Sequence, residues 1–337
     1  MQLLPINQQT VAIVGASSGI GRETALSFAK RGAKVVVAAR SQSGLDSLVK
    51  EIESFGGQAT AIRADVLDFQ QVKAIADKAI EQYGRLDTWV HCAAVALYAA
   101  FEQTTPEEFK RVIDVNLMGQ VYGAMVALPH LRRSGGGALI HISSVLGKRS
   151  FPLQSAYCAA KHGINGFLES LRVELMHEGV PISVTEIQPT SINTPFFTKA
   201  RTKIGVKPMG APPIYEPSLV AEAIIYAASH PTREMPVGDA ARILLTSQRL
   251  SPELVDAFLV SAGFDAQRTS EPKTENDLNS FDEAIPDFNR VEGDFSNQSL
   301  SVSVSDWLDT HPLAKWGALA GTLGLVFLAG QAFKIMD

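Results

Sequence analysis

Apolar residues in the first 264 positions fall into two alternating patterns. Short continuous runs at 10–14, 34–39, 58–63, 86–92, 138–142 and 181–187 are rich in Val, Ile and Ala. They have the length of strands buried on both faces. Between them lie longer stretches with helical spacing: 20–31, stopped by Gly32; 45–55, stopped by Gly56 and Gly57; from about Asp68 to Tyr83, stopped by Gly84; 106–131; and the stretch that carries Tyr157 and Lys161. Six strands alternating with helices predict an α/β fold with a doubly wound parallel sheet. Residues 218–229 continue the helical pattern, 236–238 suits a last short strand, and further helical turns fall near 240–249 and 252–262. The segment 196–217 is rich in proline and lacks a period. It stands where a lid or substrate-recognition insert is expected.

Past residue 264 the pattern changes. From 265 to 312 Asp and Glu outnumber Lys and Arg, and Ser and Asn are frequent. That composition predicts a disordered acidic linker. The run 316–333, from Trp316 to Phe333, then carries no charge and is bracketed by Lys315 and Lys334. Its length is at the lower limit for a bilayer span, roughly 17–25 residues. Gly317, Gly321 and Gly324 suit close helix packing in lipid. A helix docked on the enzyme or on another subunit is the alternative, and the long polar tether argues against docking in cis. The expected organisation is a catalytic domain at 1–264, an acidic linker at 265–312 and a transmembrane tail-anchor helix at 313–337.

Of the 337 residues, 46% are hydrophobic, enough for a sizeable core, and a net charge of −5 gives no sign of a nucleic-acid surface. Cys92 and Cys158 sit in apolar or helical runs. A disulfide framework is not expected, and neither is a metal site, since no ligand spacing appears. The N-terminus shows no signal-peptide pattern.

The chemistry gathers at strand ends. Gly15-Ala16-Ser17-Ser18-Gly19-Ile20-Gly21 links the first strand to the first helix. In that context glycines let the backbone approach a pyrophosphate, and the helix N-terminus offers free N–H groups. The second strand ends in Ala39-Arg40-Ser41, with no acid to take a ribose 2′-OH. An Arg accommodates a 2′-phosphate, so NADP is favoured over NAD; otherwise Arg40 is a solvated strand end. Asp65, before Val66, either accepts from an adenine amino group or caps the helix near Asp68. Ala93 and Ala94 allow another close backbone approach after the fourth strand. Tyr157 and Lys161 stand four residues apart, on one helix face. A cation near the phenol favours the phenolate and equips it for general acid–base work.

Together these residues resemble the short-chain dehydrogenase/reductase family over roughly 9–264. The loop is similar to that family's T-G-x-x-x-G-I-G, with Val14 in place of threonine, and Asn116, Ser144, Tyr157 and Lys161 match its catalytic tetrad. Two departures stand out. The family's N-N-A-G is His91-Cys92-Ala93-Ala94 here, and its P-G is Pro189-Thr190. His91 reads as a hydrogen-bonded structural residue rather than a catalytic one. The resemblance implies a Rossmann-like fold. It also implies that Ser144 binds a substrate carbonyl, Tyr157 protonates it, Lys161 holds the nicotinamide ribose, and Asn116 positions a relay water. Ile192 and Thr194 would contact the carboxamide. Subunits would pair as a homodimer or homotetramer. The expected function is NADP(H)-dependent interconversion of a carbonyl and an alcohol on a small lipophilic substrate, by a membrane-associated enzyme whose catalytic domain faces the cytoplasm. The competing expectation is a catalytically weak, membrane-tethered NADP(H)-sensing protein.

Overall fold

A computed structural model of the chain describes residues 1–311 and Ala314. Strand β1 (Thr10–Val14) is buried at every position. Alternate strand residues point to opposite faces, so such a run needs cover on both. The chain supplies it by alternation. Helix α1 (Gly19–Lys30) leads to β2 (Lys34–Ala39), α2 (Gln42–Ser54) to β3 (Gln58–Arg63), and α3 (Phe69–Tyr83) to β4 (Thr88–His91). Then follow α4 (Pro106–Ile113), α5 (Gly119–Arg133), β5 (Gly137–Ile142), α6 (Ser155–His177), β6 (Ile182–Pro189), α7 (Pro217–Ser229) and β7 (Glu234–Val237). The sheet order is β7-β6-β5-β4-β1-β2-β3, parallel throughout. Apolar faces of α1, α2 and α7 pack on one side of the sheet, and those of α3, α5 and α6 on the other. The result is a single Rossmann-like α/β domain. The strand order reverses between β1 and β4, which opens a crevice at their carboxyl ends.

Two expectations differ from the structure. The stretch 106–131 is not one helix. After α4, which starts with a Thr105–Glu108 capping box, Asp114–Met118 forms a π-helical turn before α5. Asn116 lies in that turn, and its amide bonds Val95 on both sides: Nδ2 donates to the Val95 carbonyl at 2.9 Å, and Oδ1 accepts from its N–H at 2.8 Å.

The acidic segment 265–311 is not a disordered linker. It folds back over the carboxyl edge of the sheet. Arg268–Pro272 pairs antiparallel with Val206–Pro208, and Ser299–Leu300 pairs with Ile214–Tyr215. Helix α8 (Asp239–Leu250) is followed by α9 (Pro252–Phe258), and α10 (Val304–Thr310) packs on α7 and α8. Few apolar residues suffice here because Phe281, Ile285 and Phe295 are each buried. The carboxylates also find cations of the body: Asp282 with Arg201, Glu275 with Lys203, Glu271 and Asp294 with Lys207. The expected tail helix at 313–337 lies outside the described residues, Ala314 apart.

Candidate active site

The crevice holds one cavity of about 890 Å³. Gly15, Ser17, Ser18, Gly19, Ile20 and Gly21 line one end of it, where β1 turns into α1. The backbone there demands glycine. Gly15 has φ +86°, and a Cβ on it would lie 2.6 Å from the Ala93 nitrogen. A Cβ on Gly21 would lie 2.3 Å from the Gly15 carbonyl oxygen. Arg40, Ser41, Asp65, Val66 and Ala93 extend this wall from the ends of β2, β3 and β4. Asp68, not Asp65, caps α3, accepting from Gln70 and Gln71 N–H at 2.8 and 3.3 Å. Asp65 accepts from Leu67 N–H at 3.1 Å.

Lys199 was invisible to sequence reasoning, because it sits in the proline-rich insert with no pattern around it. It lines the same end, and its Nζ donates to Ser18 Oγ at 2.9 Å. Among the described residues no carboxylate pairs with it. Burial, together with the charges of Arg40 and Arg290, pulls its pKa down to about 8. Converging cations at a helix N-terminus are a donor set for phosphate groups. A dinucleotide diphosphate fits this end of the cavity on those grounds.

At the other end, β5 delivers Ser144, and the first turns of α6 deliver Tyr157 and Lys161; all three line the cavity. Lys161 is buried, its Nζ donates to the Ile142 carbonyl at 2.7 Å, and it stands 5.3 Å from the centre of the Tyr157 ring. Burial lowers its pKa to about 7, against the pull of Cys92 and Glu186. Burial also pushes the Tyr157 phenol up, and a hydrogen bond with Ser144 only partly opposes this. The shift runs opposite to the lowering expected from Lys161, and the phenol holds its proton at neutral pH. Ser144 Oγ accepts from Leu146 N–H at 3.1 Å and donates weakly to the Pro189 carbonyl at 3.4 Å. Pro189 ends β6, and Ile192 and Thr194 follow it; all three line the cavity. Asn116 does not line it. With both ends of its amide on Val95, its side chain fastens the turn after β4.

His91 is fully buried and stacks on His141 of the neighbouring strand, with ring centres 6.0 Å apart. Neither His91 nitrogen meets a hydrogen-bond partner among the described residues, contrary to the expectation of a satisfied histidine. Burial holds its pKa well below the ordinary value, and that of His141 at about 3, so both rings are neutral.

The outer wall of the cavity is apolar. Ile243, Leu250, Leu254 and Phe258 of α8 and α9 line it, and all four are also exposed at its mouth.

Residues 9–205 match the family model described as short chain dehydrogenase. The chain belongs to the short chain dehydrogenase family. It is 40% identical over 283 residues to an uncharacterized oxidoreductase, YxnA, of Bacillus subtilis, covering 82% of this chain and 80% of that one. It is 34% identical over 220 residues to the 3-oxoacyl-[acyl-carrier-protein] reductase FabG of Thermotoga maritima, covering 64% of this chain and 89% of that one. Among solved structures, a short chain dehydrogenase/reductase from Burkholderia phymatum in complex with NAD superposes with TM-score 0.68 at 22% identity, covering 75% of this chain and 96% of the other. A single-substitution variant of actinorhodin polyketide ketoreductase with NADPH superposes with TM-score 0.60 at 26% identity, covering 68% of this chain and 96% of the other. The protein is thus an oxidoreductase of the short-chain type.

Proposed function

We propose that this oxidoreductase uses NADP(H) to interconvert a carbonyl and an alcohol on a small lipophilic substrate. The observation that carries this reading is one cavity with cations at one end, Ser144, Tyr157 and Lys161 at the other, and an apolar outer wall. NADP(H), when bound, supplies or accepts the hydride. The chain's residues do the rest. Ser144 and Tyr157 hydrogen-bond the substrate oxygen. Tyr157, half-buried at the cavity wall, is placed to give its hydroxyl proton to that oxygen in the reducing direction and to take it back in the other. Lys161 provides the charge that stabilises the phenolate left behind. Arg40 lies beside Ala39, with no acid at that strand end, and this favours a 2′-phosphate over a 2′-OH.

The apolar mouth supports a lipophilic substrate, and the uncharged run 316–333 supports membrane association with the catalytic domain on the cytoplasmic side, where NADP(H) is supplied. Self-association as a homodimer or homotetramer completes the reading. The test is turnover of a panel of apolar ketones, aldehydes and quinones with NADPH and with NADH. A higher kcat/KM with NADPH, falling when Leu254→Asp is introduced at the mouth, is the expected result. Equal use of both dinucleotides overturns the cofactor assignment, and indifference to Leu254→Asp overturns the lipophilic one.

A further inference from the structure

Residues 280–294 lie across the phosphate end of the cavity. At one end Arg40 donates to the Ser280 carbonyl at 2.6 Å and to the Asp282 carbonyl at 2.8 Å. Arg111 donates to the carbonyls of Phe281 at 3.2 Å and Asp282 at 2.7 Å. The Asp282 carboxylate pairs with Arg201 at 2.5 Å, and the Arg201 guanidinium lies 4.4 Å from the centre of the buried Phe281 ring. At the other end the Arg290 carbonyl accepts from Gly19 N–H at 2.9 Å. Gly293 N–H and Phe295 N–H then bond the backbone and side-chain oxygens of Asn193 at 3.2 and 3.0 Å. Helix α2 leaves room for the crossing, since a Cβ on Gly44 would lie 2.4 Å from Asn289 Oδ1. Between the anchors Ser280, Ala284 and Ile285 face the cavity.

The anchors are informative. One is the side chain at the end of β2; the other is the first N–H of α1. These are the positions that would meet the 2′-phosphate and the diphosphate of a dinucleotide. A ligand seated there would meet Ser280, Ala284 and Ile285 of the segment and Lys199, and would share Arg40 with the segment. We propose that residues 280–294 are a built wall of the dinucleotide site, a strap that encloses the adenosine and diphosphate half, and that cofactor exchange waits on its opening. The proposal rests on the NADP(H) reading above.

Phe281 and Arg111 anchor the strap without lining the cavity. Phe281→Ala and Arg111→Ala therefore loosen the strap and leave the binding surface intact. The experiment loads full-length protein with NADPH and chases it with excess NADP+ in a stopped-flow fluorimeter, with thermal melting of the free protein as the control for folding. The strap predicts a dissociation rate raised about tenfold or more in Phe281→Ala and several-fold in Arg111→Ala. Arg111→Ala melts close to wild type and keeps the test sound if Phe281→Ala does not fold. Unchanged dissociation in folded variants overturns the strap while leaving the cofactor reading standing. Faster association with unchanged dissociation also overturns it, since the segment would then be a plug rather than a retaining wall. Failure of wild type to bind either NADPH or NADH overturns the cofactor reading, and the strap with it.

Discussion

Replacing Arg40 by alanine separates two things its side chain does. The guanidinium fastens the strap through two carbonyls, at 2.6 and 2.8 Å, and it lines the cavity where a 2′-phosphate would lie. Loss of strap bonds of this kind costs about 1 kcal/mol, or about fivefold in affinity, and falls equally on NADH and NADPH. Loss of a charge-assisted bond to phosphate costs a further ~1.5–3 kcal/mol, about 10- to 150-fold, and falls on NADPH alone. Arg111→Ala is the internal reference. It removes bonds to two strap carbonyls, one of them shared with Arg40, from outside the cavity. Fluorescence titration of both dinucleotides into wild type, Arg40→Ala and Arg111→Ala reads the difference. Arg40→Ala should weaken NADPH far more than NADH, and Arg111→Ala should weaken both alike and modestly. Equal weakening of both dinucleotides by Arg40→Ala would overturn the 2′-phosphate role and leave Arg40 as a strap anchor alone.

Two further substitutions follow from the same geometry. Gly15→Ala forces a side chain into a left-handed backbone, at a cost of about 1–2 kcal/mol, and drives its Cβ against the Ala93 backbone. It should lower the melting temperature and abolish detectable NADPH binding; a variant that binds like wild type would mean that the loop is not the cradle. The buried His91–His141 pair makes stability depend on pH. Both folded-state pKa values lie below the unfolded value of about 6.5, so the unfolded chain binds more protons. Stability is present above about pH 6.5 and is lost as pH falls towards the folded-state values, by about 2 kcal/mol for His141 at about pH 5. His91→Leu should shrink the drop in melting temperature between these two pH values; an unaltered slope would show that His91 carries no such penalty.

Much of this architecture is legible in the chain because local pattern and global role agree. The runs that became β1 and β2 are apolar on both faces, and each starts and stops where its residues dictate. The glycine loop and the Tyr157–Lys161 spacing are legible for the same reason: each function depends on residues near one another in sequence. What stayed hidden depends on distant partners. The strap is acidic and poor in apolar residues, and its order comes from Arg40, Arg111 and Arg201, which converge only in the folded protein. The break at Asp114–Met118 is equally silent, and the Val95 backbone that Asn116 bonds within that turn lies 21 positions away in sequence. The phenol of Tyr157 shows the same limit in energetic form. Spacing reveals the nearby cation, but burial, which decides the shift, belongs to the tertiary structure.

In the proposed reaction Tyr157 is the group that gives up the proton. Tyr157→Phe removes one hydroxyl and keeps the ring that packs against Phe196 at 5.8 Å between centres. Single-turnover reduction of an apolar ketone by NADPH, measured beside NADPH binding on the same samples, is the most direct test. The rate should fall about 10²- to 10⁴-fold with NADPH binding retained. Turnover that survives intact in Tyr157→Phe would contradict it.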